Sequence, residues 1–224
     1  MKGLTNNQLK IIALVTMTLD HIGAYLFPSV LWLRLVGRLA FPIFAYMIAE
    51  GCRHTRSLGK YFATMAVFAF VVQGVDFLAR GSLYMSILVT FTLSISLVWL
   101  FQKAEKTKNP LWAILLVLWL AGVDFICRML PKLLPGFQVD YGLIGVLIPW
   151  GLYLVKNKKY RLLLLAVFLA ALALDSYYVQ WYALLAVPLL ALYNGQRGKR
   201  NLKWLFYIYY PAHLVAIYGI SFLL

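Results

Sequence analysis

The chain has 224 residues, of which 63% are hydrophobic and 12% charged, and its mean hydropathy is +0.82. Soluble domains run at about 45–50% apolar and about 25% charged, so a soluble enzyme, a disordered tail and a free nucleic-acid-binding module are excluded, and the chain reads as an all-α, multi-pass membrane bundle. The net charge of +14, from 21 Lys and Arg against seven acids, is either a nucleic-acid signal or a membrane-topology signal, and the position of the charges decides between them.

A bilayer core takes about 20 apolar residues per helix. On that basis nine spans are predicted, at residues 9–27, 31–51, 60–79, 83–101, 110–130, 140–155, 161–175, 178–193 and 203–223. Short connections make residues 1–224 a single predicted domain. The sixth to eighth spans are the shortest, with only about 15 clearly apolar residues each. No small-residue cleavage site follows Phe27-Pro28, so the first span reads as retained rather than as a removed signal peptide.

The first span carries Lys10, Asp20 and His21. Lys10 and His21 are about three helical turns apart and share a face, which puts His21 about 16 Å beyond Lys10 and near the bilayer midplane. An ionisable residue at that depth is costly and is a functional candidate by default. Histidine exchanges a proton near neutral pH more readily than any other unperturbed side chain. The plainer alternative is a packing histidine bonded to a neighbouring helix.

The second span contains Arg34 and Arg38, one turn apart, followed by Pro42. Buried arginines need acidic partners, and Asp20, Asp76, Asp124 and Asp175 are available in the outward halves of the odd-numbered spans. At least one of these carboxylates is expected to contact Arg34 or Arg38. Arg34 reads as part of a structural ion-pair network, whereas Arg38 could also hold a carbonyl or a developing oxyanion. Pro42 is expected to kink the helix and free a backbone carbonyl. The span ends in Glu50-Gly51-Cys52-Arg53-His54-Thr55-Arg56, a cluster able to bind phosphates or to serve as an ordinary basic loop.

Gly74-Val75-Asp76-Phe77 recurs as Gly122-Val123-Asp124-Phe125, each with an Arg three residues later (Arg80, Arg128), a faint sign of a repeated helical hairpin. Cys52 and Cys127 belong to no metal or redox motif and fall at opposite ends of their spans, so no disulfide between them is expected. The last span carries Tyr209-Tyr210-Pro211-Ala212-His213, with His213 about 15 Å deep, level with His21. Two histidines reaching one depth from the first and last helices point to a shared cavity.

Under this map one face receives Lys2, Lys10, Arg53, Arg56, Lys60, Lys103, Lys106, Lys108, Lys156, Lys158, Lys159, Arg161, Arg197, Lys199, Arg200 and Lys203. Arg80, Arg128 and Lys132 fall on the other face. That bias places the N-terminus in the cytoplasm and the C-terminus outside. The charge is thereby accounted for by topology, and a nucleic-acid partner is not expected.

Three function classes fit these residues: a membrane enzyme, a small transporter or channel using the buried charges as a path, and a structural subunit of a membrane complex. The third does not account for two histidines at one depth.

Leu9-Lys10-Ile11-Ile12, Asp20-His21-Ile22-Gly23, Gly37-Arg38-Leu39-Ala40-Phe41-Pro42-Ile43-Phe44, Glu50-Gly51, His54-Thr55, Gln180-Trp181-Tyr182-Ala183 and Tyr210-Pro211-Ala212-His213 together resemble the TraX family, known for the N-acetylase of conjugative F-pilin. The basic residue, ten-residue gap and histidine of the first span also resemble the signature of transmembrane acyltransferases at large. The resemblance implies an acetyltransferase of the cytoplasmic (inner) membrane that accepts an acetyl group from cytoplasmic acetyl-CoA. The acetyl group would pass to an amine, such as a pilin or peptide N-terminus, or to a hydroxyl, and no metal is implied. His21 would be the general base, with Asp20 orienting it or supporting its positive charge, and Arg38 or His213 would stabilise the oxyanion. Lys10, Arg53, His54, Arg56 and Lys60 would hold the donor.

Overall fold

The computed structural model describes residues 3–176, 178–199, 202–221 and 223. Lys2, Arg200 and the side chain of Lys203, part of the charge map above, lie outside the described residues. The chain is an all-α membrane bundle, and its helices follow the predicted spans closely. They are α1 (Asn6–Tyr25), α2 (Leu31–Gly37), α3 (Ala40–His54), α4 (Leu58–Arg80), α5 (Ile87–Thr107), α6 (Pro110–Asp124), α7 (Leu130–Leu133), α8 (Gly142–Leu154), α9 (Lys158–Leu174), α10 (Ala186–Ala191) and α11 (Lys203–Ser221). A π turn, Phe125–Met129, joins α6 to α7, and a 3-10 segment, Tyr178–Leu185, leads into α10. Four stretches among the described residues have the length and hydropathy to cross a membrane unaided: Leu31–His54, Leu58–Arg80, Ile87–Thr107 and Pro110–Leu133.

Local sequence explains the helix boundaries. Thr5 caps α1 in a capping box with Gln8, satisfying two amides that no helical carbonyl can reach. Ser57, Asn109 and Asn157 cap α4, α6 and α9 in the same sense, and Pro110 occupies the first turn of α6, where its missing N–H costs nothing. The second predicted span is interrupted at Arg38 and Leu39, where the Arg38 amide is shared between the Arg34 and Leu35 carbonyls and that of Leu39 turns to Val36, its i−3 carbonyl. The break lies four residues before Pro42, at the carbonyl the proline ring would strike in a continuous helix.

The chain forms two compact units, one of Met1–Met47 with Asn157–Leu224 and the other of Ile48–Lys156. In the second unit, Leu97 of α5, Val123 of α6 and Val146 of α8 make a closed core, flanked by Trp119, Leu143 and Trp150. Trp119 donates its indole N–H to Ser96 Oγ at 2.7 Å, so the aromatic body packs without an orphaned donor. The outward faces of α4 and α6 carry long apolar side chains, among them Phe70 (81% exposed) and Leu78 (87%), which is the surface a lipid environment requires. Two short strands that composition does not reveal, β1 (Tyr84–Met85) and β2 (Gln138–Val139), pair in parallel beside Asp140, whose carboxylate accepts from Tyr84 Oη at 2.7 Å.

The first unit brings the chain's two ends together. Leu4 pairs with Tyr193, Asn6 and Asn7 donate backbone bonds to Gln196 and Arg197, and α1 packs on both α2 and α11. Arg161, expected at the basic-face end of the seventh span, is buried in the first turn of α9 with its guanidinium 5.0 Å from the centre of the Tyr46 ring. Cation–π attraction over a buried ring offsets part of the desolvation cost that a loop position would have avoided. Lys158 donates to the carbonyls of Ala191 and Tyr193 and so closes the C-terminal end of α10. Cys52 and Cys127 are both free thiols.

Candidate active site

His21 sits on the face of α1 that meets α11, and its Nδ1 lies 2.7 Å from Nε2 of His213. The two rings stack with centroids 5.0 Å apart and planes 16° from parallel. The matched depths read from the two ends of the chain thus correspond to a direct contact. His213 Nδ1 is 3.0 Å from the carbonyl oxygen of Tyr209, one turn earlier on α11. A carbonyl only accepts, so that nitrogen of neutral His213 carries the hydrogen and its Nε2 is the acceptor. It follows that His21 donates from Nδ1, and the basic lone pair of its ring is on Nε2.

Aromatic rings enclose the pair. Tyr209 stacks on His213 at 5.4 Å and 12°, while Tyr210 meets His213 and His21 edge-on at 5.3 Å and 6.4 Å. Tyr209 also anchors the helices, because its hydroxyl is 2.8 Å from Thr18 Oγ1, and Thr18 in turn donates to the carbonyl of Leu14 at 2.9 Å. Thr18, His21 and Tyr25 recur at i, i+3 and i+7, one stripe of α1. Tyr25 continues the stripe with an edge-on contact to Tyr218 at 5.2 Å. Sequence alone gives roles to His21 and His213 but none to Thr18 or Tyr209, whose pairing depends on which faces of α1 and α11 meet.

Asp20, next in sequence, turns to the opposite neighbour, α2. Its Oδ2 accepts from Arg34 at 2.8 Å and its Oδ1 from Arg38 at 2.6 Å, and Arg34 also donates to the Asp20 carbonyl at 3.1 Å. The expected contact between an outer aspartate and these arginines is therefore present. Asp20 was also expected to orient His21, but both its oxygens are engaged by guanidinium groups and the partner on His21 Nδ1 is His213. Successive residues on a helix diverge by about 100°, which is why Asp20 and His21 serve different neighbours. Likewise His213 uses both ring nitrogens, one towards the Tyr209 carbonyl and one towards His21.

Gly37 makes this clamp possible. A Cβ placed there would fall 2.7 Å from Asp20 Cγ and closer still to Cβ and Oδ1. Gly23 plays the matching part from α1, where a Cβ would meet Leu33 Cβ at 2.7 Å. Arg38 reaches further, donating from Nη1 to Gln180 Oε1 at 3.4 Å in the 3-10 segment. The other outer aspartates do not join this network. Asp76 and Asp124 pair within their own helices with Arg80 and Arg128, and Asp175 caps the exposed end of α9.

The residues expected to hold a donor's phosphates are differently placed. Arg53 directs Nη2 at the carbonyls of Leu152 (2.9 Å), Tyr153 (2.6 Å) and Val155, with its guanidinium 5.7 Å from the Tyr153 ring centre. It closes the C-terminal end of α8, where carbonyls lack helical partners and a cation is favoured. His54 Nδ1 bonds the Glu50 carbonyl at 2.9 Å, Gly51 admits the Tyr61 hydroxyl, and Thr55 and Ser57 bond each other across the α3–α4 turn. The cluster is thus largely a helix–turn–helix joint. Arg56 and Lys60 are exposed there. Lys10, half-buried on α1, has Arg197 as its like-charged neighbour. No group of three or more His, Cys, Asp or Glu able to hold a metal occurs among the described residues.

The TraX protein family model matches residues 5–221, nearly the whole length and every element of this site. The chain belongs to the TraX family. Among curated proteins, the chain is similar to the probable fimbrial assembly protein FimC, serogroup H1, of Dichelobacter nodosus, 26% identical over 94% of this chain and 93% of its own. An uncharacterized protein of Rickettsia prowazekii (strain Madrid E) is 48% identical over a short stretch, 19% of this chain and 18% of its own. No solved structure matches this TraX chain.

Proposed function

We propose that this TraX-family protein is an integral-membrane acetyltransferase that moves an acetyl group from acetyl-CoA to an acceptor amine or hydroxyl, with His21 as the general base. The observation that carries the reading is the His21–His213 pair within the α1–α11 contact. A packing histidine needs one partner of either sense; here a backbone carbonyl and a second imidazole act in series to put the basic lone pair on Nε2.

In the proposed reaction His21 Nε2 takes the proton of the acceptor nitrogen as that nitrogen attacks the thioester carbonyl. A C–N bond forms, the intermediate collapses with cleavage of the C–S bond, and the proton passes from the imidazolium to the departing CoA sulfur. His213 acts as a positioning residue, holding the ring and sharing its positive charge. Asp20, Arg34 and Arg38 together carry one net positive charge beside His21 in sequence, suited to a developing oxyanion. Lys10 with Arg197 lies about three turns from His21 on the same helix and supplies charge for the donor's phosphates. Arg53 is committed to α8.

The orientation with the N-terminus in the cytoplasm and the placement in the inner membrane belong to this reading, since the basic loops then face the compartment that holds acetyl-CoA. The fimbrial name of the Dichelobacter relative makes the N-terminal amine of a pilin-like peptide the first acceptor to try.

The test uses the purified protein in lipid nanodiscs with acetyl-CoA and such a peptide, reading release of free CoA thiol and the acetyl mass on the peptide. Protein-dependent release separates an enzyme from a transporter. His21→Ala is expected to lower turnover by about 10²–10⁴-fold with the fold intact. His213→Gln, which retains an acceptor, should recover part of the rate that His213→Phe loses. Near-normal turnover of His21→Ala at saturating donor would overturn the assignment.

A further inference from the structure

Gln180 lies in the 3-10 segment that precedes α10 and is 6% exposed. Its Oε1 faces Arg38 Nη1 at 3.4 Å, and since a guanidinium only donates, that contact fixes which end of the amide is which. The Nε2 end is buried and has no hydrogen-bond partner among the described residues. A buried, unpaired amide donor carries its full desolvation cost, whereas a leucine at this position would carry none. Packing alone therefore gives no reason for glutamine. Anchoring Arg38 alone gives no reason for it either, because a glutamate would accept from that guanidinium more strongly and neutralise the surplus positive charge of the Asp20–Arg34–Arg38 clamp.

What distinguishes glutamine from both is a neutral donor held in place beside a cation. We propose that Gln180 is a catalytic residue whose Nε2–H donates to the acyl carbonyl oxygen of the thioester and to the oxyanion that forms on it, with Arg38 fixing the amide's orientation. The inference rests on the acetyltransferase reading and adds a named oxyanion donor to it. Two structural features suit the role. The segment Tyr178–Leu185 is wound in 3-10 rather than α form, a winding that marks locally irregular backbone. The other end of the amide is also tied through Arg38 to Asp20 on the helix that carries His21.

The decisive variant is Gln180→Glu, isosteric and still an acceptor for Arg38 but without an N–H. In nanodiscs, with acetyl-CoA as donor and the pilin-like peptide as acceptor, it should keep or raise the unfolding temperature. Its kcat should fall by about 10²–10³-fold, with the KM for acetyl-CoA changed less than threefold. Gln180→Leu should lose kcat to a similar extent. A Gln180→Glu protein with wild-type kcat would overturn this inference and leave the acetyltransferase reading standing, because it would show that only the acceptor end matters. A fall confined to KM would equally exclude an oxyanion role. A wild-type protein that releases no CoA would remove both.

Discussion

The closest approach of α1 to α2 is set by two glycines, so a single methyl group measures how much the clamp depends on that closeness. In Gly37→Ala the new Cβ would lie 2.7 Å from Asp20 Cγ, against the roughly 4 Å of ordinary apolar contact. The obstruction is the root of the Asp20 side chain, whose oxygens are held by two arginines, so it cannot swing aside without breaking ion pairs. The helices must separate by about 1 Å, and overpacking of this kind costs about 1–3 kcal/mol. Loosening the pair between Asp20 and Arg38, whose side chains are only 16% and 14% exposed, moves the cost to the upper end of that range. For a chain of this size that corresponds to a fall in Tm of roughly 5–10 °C, read by circular dichroism on the protein in detergent micelles. Gly74→Ala is the control. It sits mid-helix in α4 with nothing within 4 Å of the new Cβ, and exchanging helical glycine for alanine gains about 0.8–1 kcal/mol. If Gly37→Ala melted with the wild type while Gly74→Ala rose as expected, the close α1–α2 contact would have to be withdrawn.

Arg53→Met should lower thermal stability by about 1–2 kcal/mol through loss of the α8 closure, while the KM for acetyl-CoA stays at its wild-type value; a large rise in KM with normal melting would return Arg53 to the donor site. Tyr209→Phe keeps the ring stacked on His213 but removes the hydroxyl bond to Thr18. It should therefore cost about 0.5–1.5 kcal/mol in stability, measured by the same melt, and leave kcat within threefold.

The membrane spans were legible because apolar length alone dictates them, and the break near Arg38 was legible because proline acts on a carbonyl at a fixed distance along its own helix. The level of His21 with His213 followed from rise per residue, a property that needs no knowledge of neighbours. What composition left hidden depends on partners distant in the chain. Arg53 and Lys158 look like loop charges until the carbonyls of Leu152–Val155 and Ala191–Tyr193 arrive beside them, and Arg161 becomes a core residue only because Tyr46 offers a ring face. Asp20 hid its partners for a related reason: adjacency in sequence suggested that it orients His21, whereas helical rotation turns its carboxylate towards Arg34 and Arg38. Gln180 carried a motif-level signal but no chemistry until its two ends could be told apart by Arg38.

The two imidazoles are 192 positions apart, one in the first helix and one in the last. A ribosome adding about 5–20 residues per second needs roughly 10–40 s to travel from one to the other. During that interval His21 and Thr18 are already in the nascent chain while His213 and Tyr209 have yet to be synthesised. The unit formed by Ile48–Lys156 is complete in sequence before the other unit has received its second half. The His21–His213 contact therefore forms only after α11 has been made, and a polypeptide released before α11 would lack the partner that sets the His21 tautomer.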